Sequence, residues 1–407
     1  MSWVQSTLGE VADIFSGYAF KSADMNSEGG TPLIKIKNIA DSAVSHECDA
    51  FLNKDFNLAK FERFHLLRDD FLVAMTGQGS VGRIGKMRDY KPGFYVNQRV
   101  AIVRVNPEKA NPVFIFYQIA TRSNELELFK KANGAGQPNI SAKQIGELPV
   151  VLPSTEQQQY IADVLSSYDD LIENSQKQIK LLEEAAQRLY KEWFVDLRFP
   201  GHETTPIVDG VPEGWRETCM DDICDSIGGG TPSTKSEEYY RDGQIKWVTP
   251  TDITRKSGLI LLDTEKKITE EGLHNSSAKM VPPYTILMTS RASVGFFGLC
   301  EYEVCTNQGF ISCIPHEESI RFYLLYNLMN RVDEIRAKAS GSTFLEISKK
   351  SFRGLKIIVP EAHILTQFNN IVRPMIRQME ILTKTIAKLR EARDRLLPKL
   401  MSGEIEV

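Results

Sequence analysis

The chain has 407 residues, enough for two to three domains that each bury a core, which excludes a single small domain. Hydrophobic residues at 42% and charged residues at 25%, with 27 glycines and 18 prolines, are ordinary globular usage and exclude a disordered, collagenous or disulfide-dense chain. Lys and Arg number 49 against 53 Asp and Glu, so a net charge of -4 offers no overall attraction to nucleic acid or an anionic membrane, and a phosphate-binding role needs local basic patches.

No apolar run approaches the roughly 18 residues that span a bilayer. Met1-Ser2-Trp3-Val4-Gln5 begins neither a signal peptide nor an acylation site, so a cytoplasmic chain with no membrane partner is expected. Six cysteines, five of them from Cys219 onward, are too few and too lopsided for a disulfide framework. Cys219 with Cys224 and Cys300 with Cys305 have a spacing that suits half a zinc site, but they lie in apolar, strand-like stretches such as Phe297-Gly298-Leu299-Cys300, where a thiol is a small hydrophobe. No metal site is expected.

In chain order, residues 1–153 read as a mixed unit with short β runs such as 71–76 and a helix over 111–129. Residues 154–200 then carry a helical stripe of Ile161, Leu165, Tyr168, Ile172, Ile179, Leu182, Ala186, Leu189 and Trp193, with Ser154 as cap and Gln157 able to close a capping box. Residues 201–360 read as a second mixed unit with a helix over 319–339 and a closing strand at 357–359. Residues 361–407 carry a second stripe, Phe368, Val372, Met375, Met379, Leu382, Ile386, Leu389 and Leu396, with Gly403 as C-terminal cap and a kink expected at Pro374. At 1.5 Å per residue each stripe spans roughly 60 Å, too long for burial in one globular domain of this size.

The two halves repeat each other. Trp3, Leu8-Gly9-Glu10-Val11-Ala12-Asp13 and Ser16-Gly17 match Trp215, Met220-Asp221-Asp222-Ile223-Cys224-Asp225 and Gly228-Gly229. Leu72-Val73-Ala74-Met75-Thr76 and Ser80-Val81-Gly82 match Ile286-Leu287-Met288-Thr289-Ser290 and Ser293-Val294-Gly295. Asn97-Gln98 matches Asn307-Gln308, and Leu148-Pro149-Val150-Val151-Leu152-Pro153 matches Leu355-Lys356-Ile357-Ile358-Val359-Pro360. The expected fold is therefore α+β: two similar mixed α/β domains joined by two long helices packed as an antiparallel coiled coil, with a pseudo-twofold internal repeat.

Charge is uneven along the chain. Arg83, Lys86, Arg88, Lys91, Arg99 and Arg104 face only Asp89 in their stretch, and Arg331, Arg336, Lys338, Lys349, Lys350, Arg353 and Lys356 outnumber Asp333, Glu334 and Glu346. Interleaved with Tyr90, Phe94, Tyr95, Phe344 and Phe352, these clusters suit phosphate contacts, although a solvated face has the same composition. Two tempting motifs fail. Gly77-Gln78-Gly79-Ser80-Val81-Gly82 fits the dinucleotide fingerprint, but Arg83-Ile84-Gly85-Lys86 continues as strand or turn instead of the required helix. Val281-Pro282-Pro283-Tyr284 resembles the tetrapeptide of amino-group DNA methyltransferases, but valine cannot accept the amino hydrogen bond. His46, His65, His202, His274, His316 and His363 form no close pair at metal spacing, and no active site is expected.

The order of unit, long helix, unit, long helix is joined by two terminal signatures. Leu189-Tyr190-Lys191-Glu192-Trp193-Phe194-Val195-Asp196 with Arg198-Phe199-Pro200-Gly201 closes the first half, and Arg395-Leu396-Leu397-Pro398-Lys399-Leu400-Met401-Ser402-Gly403-Glu404-Ile405 the second. Together these resemble the specificity subunit of type I restriction-modification systems. The resemblance implies that 1–153 and 201–360 are target recognition domains and that 154–200 and 361–407 are spacer helices. It implies a non-catalytic subunit that binds a bipartite, asymmetric double-stranded DNA target and directs adenine methylation or restriction by two modification (methyltransferase) subunits and restriction (nuclease-translocase) subunits. S-adenosylmethionine, ATP and Mg are then expected only in those partners, with no cofactor in this chain.

Candidate DNA contacts lie in the polar stretches after the shared strands: Thr76, Gln78, Ser80, Arg83, Asn97, Gln98 and Arg99, with Thr289, Ser290, Arg291, Ser293, Asn307 and Gln308. Arg and Gln can grip guanine and adenine edges, while Ser and Thr mostly position phosphates. Gln137, Asn139 and Ser342, in loops before the closing strands, form a second group. Turn and cap chemistry explains the same residue types. For partner subunits the candidates are Ile172, Ile179, Leu182, Trp193, Phe194, Met379, Leu382 and Ile386. Two readings of other classes are a self-contained DNA methyltransferase, disfavoured by Val281 and the failed fingerprint, and a coiled-coil scaffold with no DNA role.

Overall fold

The computed structural model describes all residues except 1, 2, 133–136, 257, 342, 343, 406 and 407. By contact the chain forms two compact units, one of residues 1–170 with 390–407 and the other of residues 171–389, so both long helices contribute to each.

In the first unit the main sheet begins with strands Ala12–Ser16, Val100–Val105, Phe71–Ala74 and Ile84–Lys86 in that spatial order. Phe71–Ala74 is buried along its whole length, which is why it reads as an unbroken apolar run. A smaller sheet contains a parallel pair, Leu33 opposite Tyr95 and Ile34 opposite Val96. A third pairing sets Val4–Thr7 antiparallel to Pro149–Leu152. The second unit has the same plan. Cys224–Gly228, Phe310–Pro315, Ile286–Thr289 and Phe297–Gly298 form the main sheet, Trp247 and Val248 run parallel to Cys305 and Thr306, and Arg216–Cys219 pairs with Lys356–Val359.

Strand register corrects the sequence alignment at one place. Ala74 faces Val100 while Thr289 faces Phe310, so Phe71–Ala74 corresponds to Ile286–Thr289 at an offset of 215, and Ala74, not Met75, is the counterpart of Thr289. The following loop is two residues shorter in the second unit, and Gly82 and Gly295 return to the earlier alignment. Both glycines have φ of +84°, and a Cβ on either would come within 2.8 Å of a neighbour, the Glu125 carbonyl oxygen or Val332 Cγ1. Only glycine fits there.

The first long helix runs Thr155–Phe194, with Ser154 Oγ accepting from the Gln157 amide at 3.2 Å. The second runs Ala362–Ser402 and ends at Gly403, whose φ of +73° is the left-handed cap. The helix continues unbroken through Pro374. That proline and Asn370, the residue whose carbonyl loses its donor, are both exposed, so water meets the orphaned oxygen. The helix expected over 111–129 is two, Pro112–Ile119 and Arg122–Lys131, because Thr121 is extended and its side chain accepts from the Asn124 amide to cap the second. The helix expected over 319–339 is Arg321–Asn330 and Val332–Ala337, broken at Arg331. No helix among the described residues is long and apolar enough to cross a membrane.

The predicted seams are the buried faces. In the second unit Ala186, Tyr190 and Trp193 share a core with Phe368, Val372, Ile376 and Met379, and the Phe194 and Phe368 rings lie 5.0 Å apart. In the first unit Ile161 and Leu165 share a core with Leu400 and with partly buried Leu396 and Leu397. Early residues of one helix thus meet late residues of the other, the antiparallel pairing that the repeat implies.

Two polar ties fasten these helices to the globular parts. In the first unit the Asp169 carboxylate, almost fully buried, accepts from the Tyr117 hydroxyl at 2.6 Å and pairs with both Arg88 and Arg393. In the second unit Glu183 accepts from the Leu259 amide at 2.7 Å, and Lys256 donates to the Leu259 carbonyl. Burial pushes the Lys256 ammonium down from 10.5 to about 7 and pushes the Glu183 carboxyl up.

Asp169→Asn takes the counter-charge from part-buried Arg88 and leaves Arg393 with Asp394 alone, and a loss of about 3 kcal/mol in urea unfolding is expected. A loss below about 1 kcal/mol would show the cluster to be incidental. For Lys256 the unfolded chain holds its proton up to pH 10.5 while the folded chain releases it near 7, so this group makes stability rise with pH across that window. The gain should vanish in Lys256→Met, as read by comparing unfolding midpoints of the two proteins at pH 7 and pH 10.

Candidate nucleic-acid interface

In the first unit three loops converge where the strand Phe71–Ala74 ends. The Met75 amide donates to the Arg99 carbonyl at 2.9 Å, the Gly77 amide to the Pro138 carbonyl at 3.2 Å, and the Ile140 amide to the Met75 carbonyl at 2.9 Å. Thr76 pairs with Asn139 in the same ladder. In the second unit the Ser290 amide donates to Gly309 at 2.7 Å, the Ala292 amide to Leu345 at 2.8 Å and the Ile347 amide to Ser290 at 3.0 Å, with Arg291 opposite Glu346. The same backbone frame is built twice.

The Asn-Gln turns belong to this frame. The Asn97 amide donates to Ile34 at 3.0 Å and the Asn307 amide to Val248 at 2.9 Å. Each turn presses on a glycine near the start of its unit. A Cβ on Gly17 would lie 2.4 Å from the Asn97 carbonyl oxygen, and one on Gly229 would lie 2.1 Å from that of Asn307. The shared Ser16-Gly17 and Gly228-Gly229 signatures therefore record a close backbone approach.

On this frame Gln78, Arg83, Gln98, Arg99, Gln137 and Asn139 are exposed in the first unit, and Arg291 and Gln308 in the second. Thr76, Ser80, Asn97, Ser293 and Asn307 are half-buried. Ser80 donates to the Thr76 carbonyl at 2.9 Å, and Asn307 Oδ1 accepts from the Gly309 amide at 2.9 Å, so both shape turns. Thr289 and Ser290 are buried and cannot touch a ligand. Thr289 Oγ1 accepts from the Phe296 amide at 2.9 Å and donates to the Ser293 carbonyl. Their hydroxyls looked available because a strand-end Thr-Ser reads like an exposed loop. Ser342 lies outside the described residues.

The basic clusters are largely spent inside their units. Arg104 holds Asp70 through two hydrogen bonds of 2.9 and 2.7 Å, Lys86 pairs with Asp69 and Arg88 with Asp169. Arg331 and Lys338 share Glu334, Arg336 donates to Val294, Arg353 binds Ser226 and Asp221, and Lys356 pairs with Glu217. Arg83 reaches the Gly79 carbonyl at 2.7 Å. Among the described residues of these two clusters Lys91, Arg99, Lys349 and Lys350 make no side-chain hydrogen bond or ion pair, so they are the cluster cations left for phosphates. Arg291 has only a 3.6 Å approach to Glu346.

The partner candidates need a larger correction. Ile172, Trp193, Met379, Leu382 and Ile386 are buried, and Ile179, Leu182 and Phe194 pack on the core of the second unit. A seam residue looks equally apolar whether it faces the chain's own helix or another protein. The exposed apolar residues on these helices in the second unit are instead Leu171, Leu181, Ile371 and Ile381.

Sequence reasoning also passed over Tyr18, which is part-exposed beside the Gln98 turn, its carbonyl accepting from the Gln98 amide at 3.0 Å. Its ring is braced edge-on by Phe20 and Phe61 at 5.0 and 4.7 Å. The signal was its place directly after a repeat glycine. The glycine run 77–82 leads into the strand Ile84–Lys86, not a helix. Tyr284 has φ of +60°, and the Thr285 hydroxyl closes the turn on the Pro282 carbonyl at 2.7 Å. No cluster of metal-ligating side chains occurs among the described residues.

Residues 1–184 and 212–391 match the type I restriction modification DNA specificity domain. The MjaIX specificity subunit of Methanocaldococcus jannaschii is 27% identical over 306 residues, covering 72% of this chain and 69% of that protein. The HindI specificity subunit of Haemophilus influenzae is 24% identical over an alignment of 475 residues that covers 99% of each chain. The crystal structure of the type I S subunit from M. genitalium has the same fold, with a TM-score of 0.61 at 18% identity over 98% of this chain and 96% of that one. With a specificity domain matched in each half, the chain belongs to the type I restriction-modification DNA specificity family and is a specificity subunit.

Proposed function

We propose that the chain reads a bipartite, asymmetric double-stranded DNA target, each globular unit taking one half through the rim at the end of its central strand. The observation that carries this is the duplicated backbone frame with different side chains at equivalent positions: Thr76 against Arg291, Arg99 against Gly309, Gln137 against Phe344 and Asn139 against Glu346. One frame means one way of meeting the duplex, and different side chains mean different bases. The two long helices, which both units share, then act as a ruler for the gap.

Chemistry is assigned to partners: two modification subunits with S-adenosylmethionine for adenine methylation, and restriction subunits with ATP and Mg for cleavage. The missing acceptor at Val281 supports a non-catalytic role. Leu171, Leu181, Ile371 and Ile381 are the proposed docking residues for modification subunits, since they are exposed aliphatics on the long helices.

Methyl-transfer assays with the purified chain and S-adenosylmethionine should show no turnover, and activity without partners would sink the proposal. Arg99→Ala should weaken binding about 10-fold or more through one half-site, and Arg291→Ala through the other. Equal loss at both from either change would show the rims to be misassigned. Leu181→Asp with Ile381→Asp should leave the unfolding midpoint within about 0.5 kcal/mol of wild type while reducing co-purification of modification subunits. Inserting four residues after Gln178 adds about 6 Å of helix. Methylome sequencing of a host carrying that variant should show a changed gap with unchanged half-sites.

A further inference from the structure

Where the rim of the first unit carries Gln137 and Pro138, that of the second carries Phe344 and Leu345. The equivalence comes from register, since the Gly77 amide binds the Pro138 carbonyl as the Ala292 amide binds that of Leu345. Both side chains are bare, Phe344 at 57% and Leu345 at 51% exposed. The backbone beneath them is held. Ser340 and Glu346 each donate to the other's carbonyl at 2.9 Å, and Gly341, with φ of +138°, passes so near the Phe344 carbonyl that a Cβ there would come within 2.2 Å of its oxygen. Two large apolar side chains are thus kept in water on a braced loop, which loses free energy unless something covers them.

Their surroundings identify the cover. Arg291, 3.6 Å from the Glu346 carboxylate, and Gln308, which accepts from the Thr231 hydroxyl, are exposed on the same rim, and Lys349, its ammonium beside Gly228, has no counter-charge. A polar, hydrogen-bonding rim with an unpaired lysine around a small apolar pair is a poor seat for a protein core and a good one for a nucleic-acid groove. The apolar group that a major groove presents is the thymine C5-methyl. We propose that Phe344 and Leu345 recognise thymine through that methyl in the half-site read by the second unit, whereas Gln137 in the first unit reads by hydrogen bonding. This rests on the rim being the DNA interface.

Deoxyuridine tests it, because it removes the methyl and leaves pairing unchanged. Once methylome sequencing gives the target, each thymine on either strand is replaced singly, and binding by the full chain with its modification subunits is measured. At one thymine or two neighbouring thymines of one half-site the wild type should lose about 4- to 10-fold in affinity. Phe344→Ala with Leu345→Ala should bind the thymine duplex as weakly as wild type binds the deoxyuridine one and should no longer distinguish them. Phe344→Leu should keep most of the preference, and loss of affinity through the other half-site should not accompany either change. A second half-site without thymine, equal binding of thymine and deoxyuridine at every position, or discrimination that survives the double variant would each overturn the proposal. Binding no tighter to the target than to random duplex would instead overturn the DNA-reading function itself.

Discussion

A helix of 40 residues with one apolar seam cannot bury that seam in a single small domain, and the whole architecture follows from how this chain covers two such seams. Each is buried in stretches. Ile161 and Leu165 lie in one core with Leu400, while Ala186, Tyr190 and Trp193 lie in another with Phe368, Val372 and Met379. Because the stretches alternate in this way, the last turns of the chain stabilise the unit that contains its first residues. The Asp169 cluster reinforces this: a buried carboxylate with two guanidinium partners is favourable only when all three are in place, so it selects one register of the helices against the sheet.

Electrostatics shows a second economy. Arg104, Lys86, Arg88 and Arg353 hold carboxylates or carbonyls of their own unit. Among the described residues of the two basic clusters only Lys91, Arg99, Lys349 and Lys350 stay unpaired, so these stretches offer few contacts to phosphates. The negative net charge is therefore consistent with DNA binding that is shared with other subunits.

On the proposed reading, the rims let one fold serve two half-sites. The glycines at 17 and 229, and at 82 and 295, are required by close backbone approach or positive φ, and the amide-to-carbonyl bonds they permit hold the loops in the same shape. Thr289, Ser80 and Asn307 help to hold that frame, while the exposed side chains standing on it are free to differ. In that proposal specificity and stability are separated, with polar side chains in the first unit and Phe344 and Leu345 in the second.

Periodicity and repetition determined the two mixed units, the long helices and their antiparallel pairing, because apolar spacing and ordered matches are properties of the chain itself, and the signatures at 189–201 and 395–405 carried the resemblance to the family. Only tertiary structure decided what each exposed-looking group does. Thr289 and Ser290 are buried by loops that arrive from 309 and 347, Arg104 meets an aspartate 34 residues away, and the seam residues proposed for a partner face the chain's own helix. Burial and ion pairing depend on which distant segment arrives, and composition cannot record that. The one-residue slip at Thr289 was hidden for the same reason: side-chain likeness set Leu72 against Ile286 and so Met75 against Thr289, whereas backbone hydrogen bonds, which carry no residue identity, set the true register.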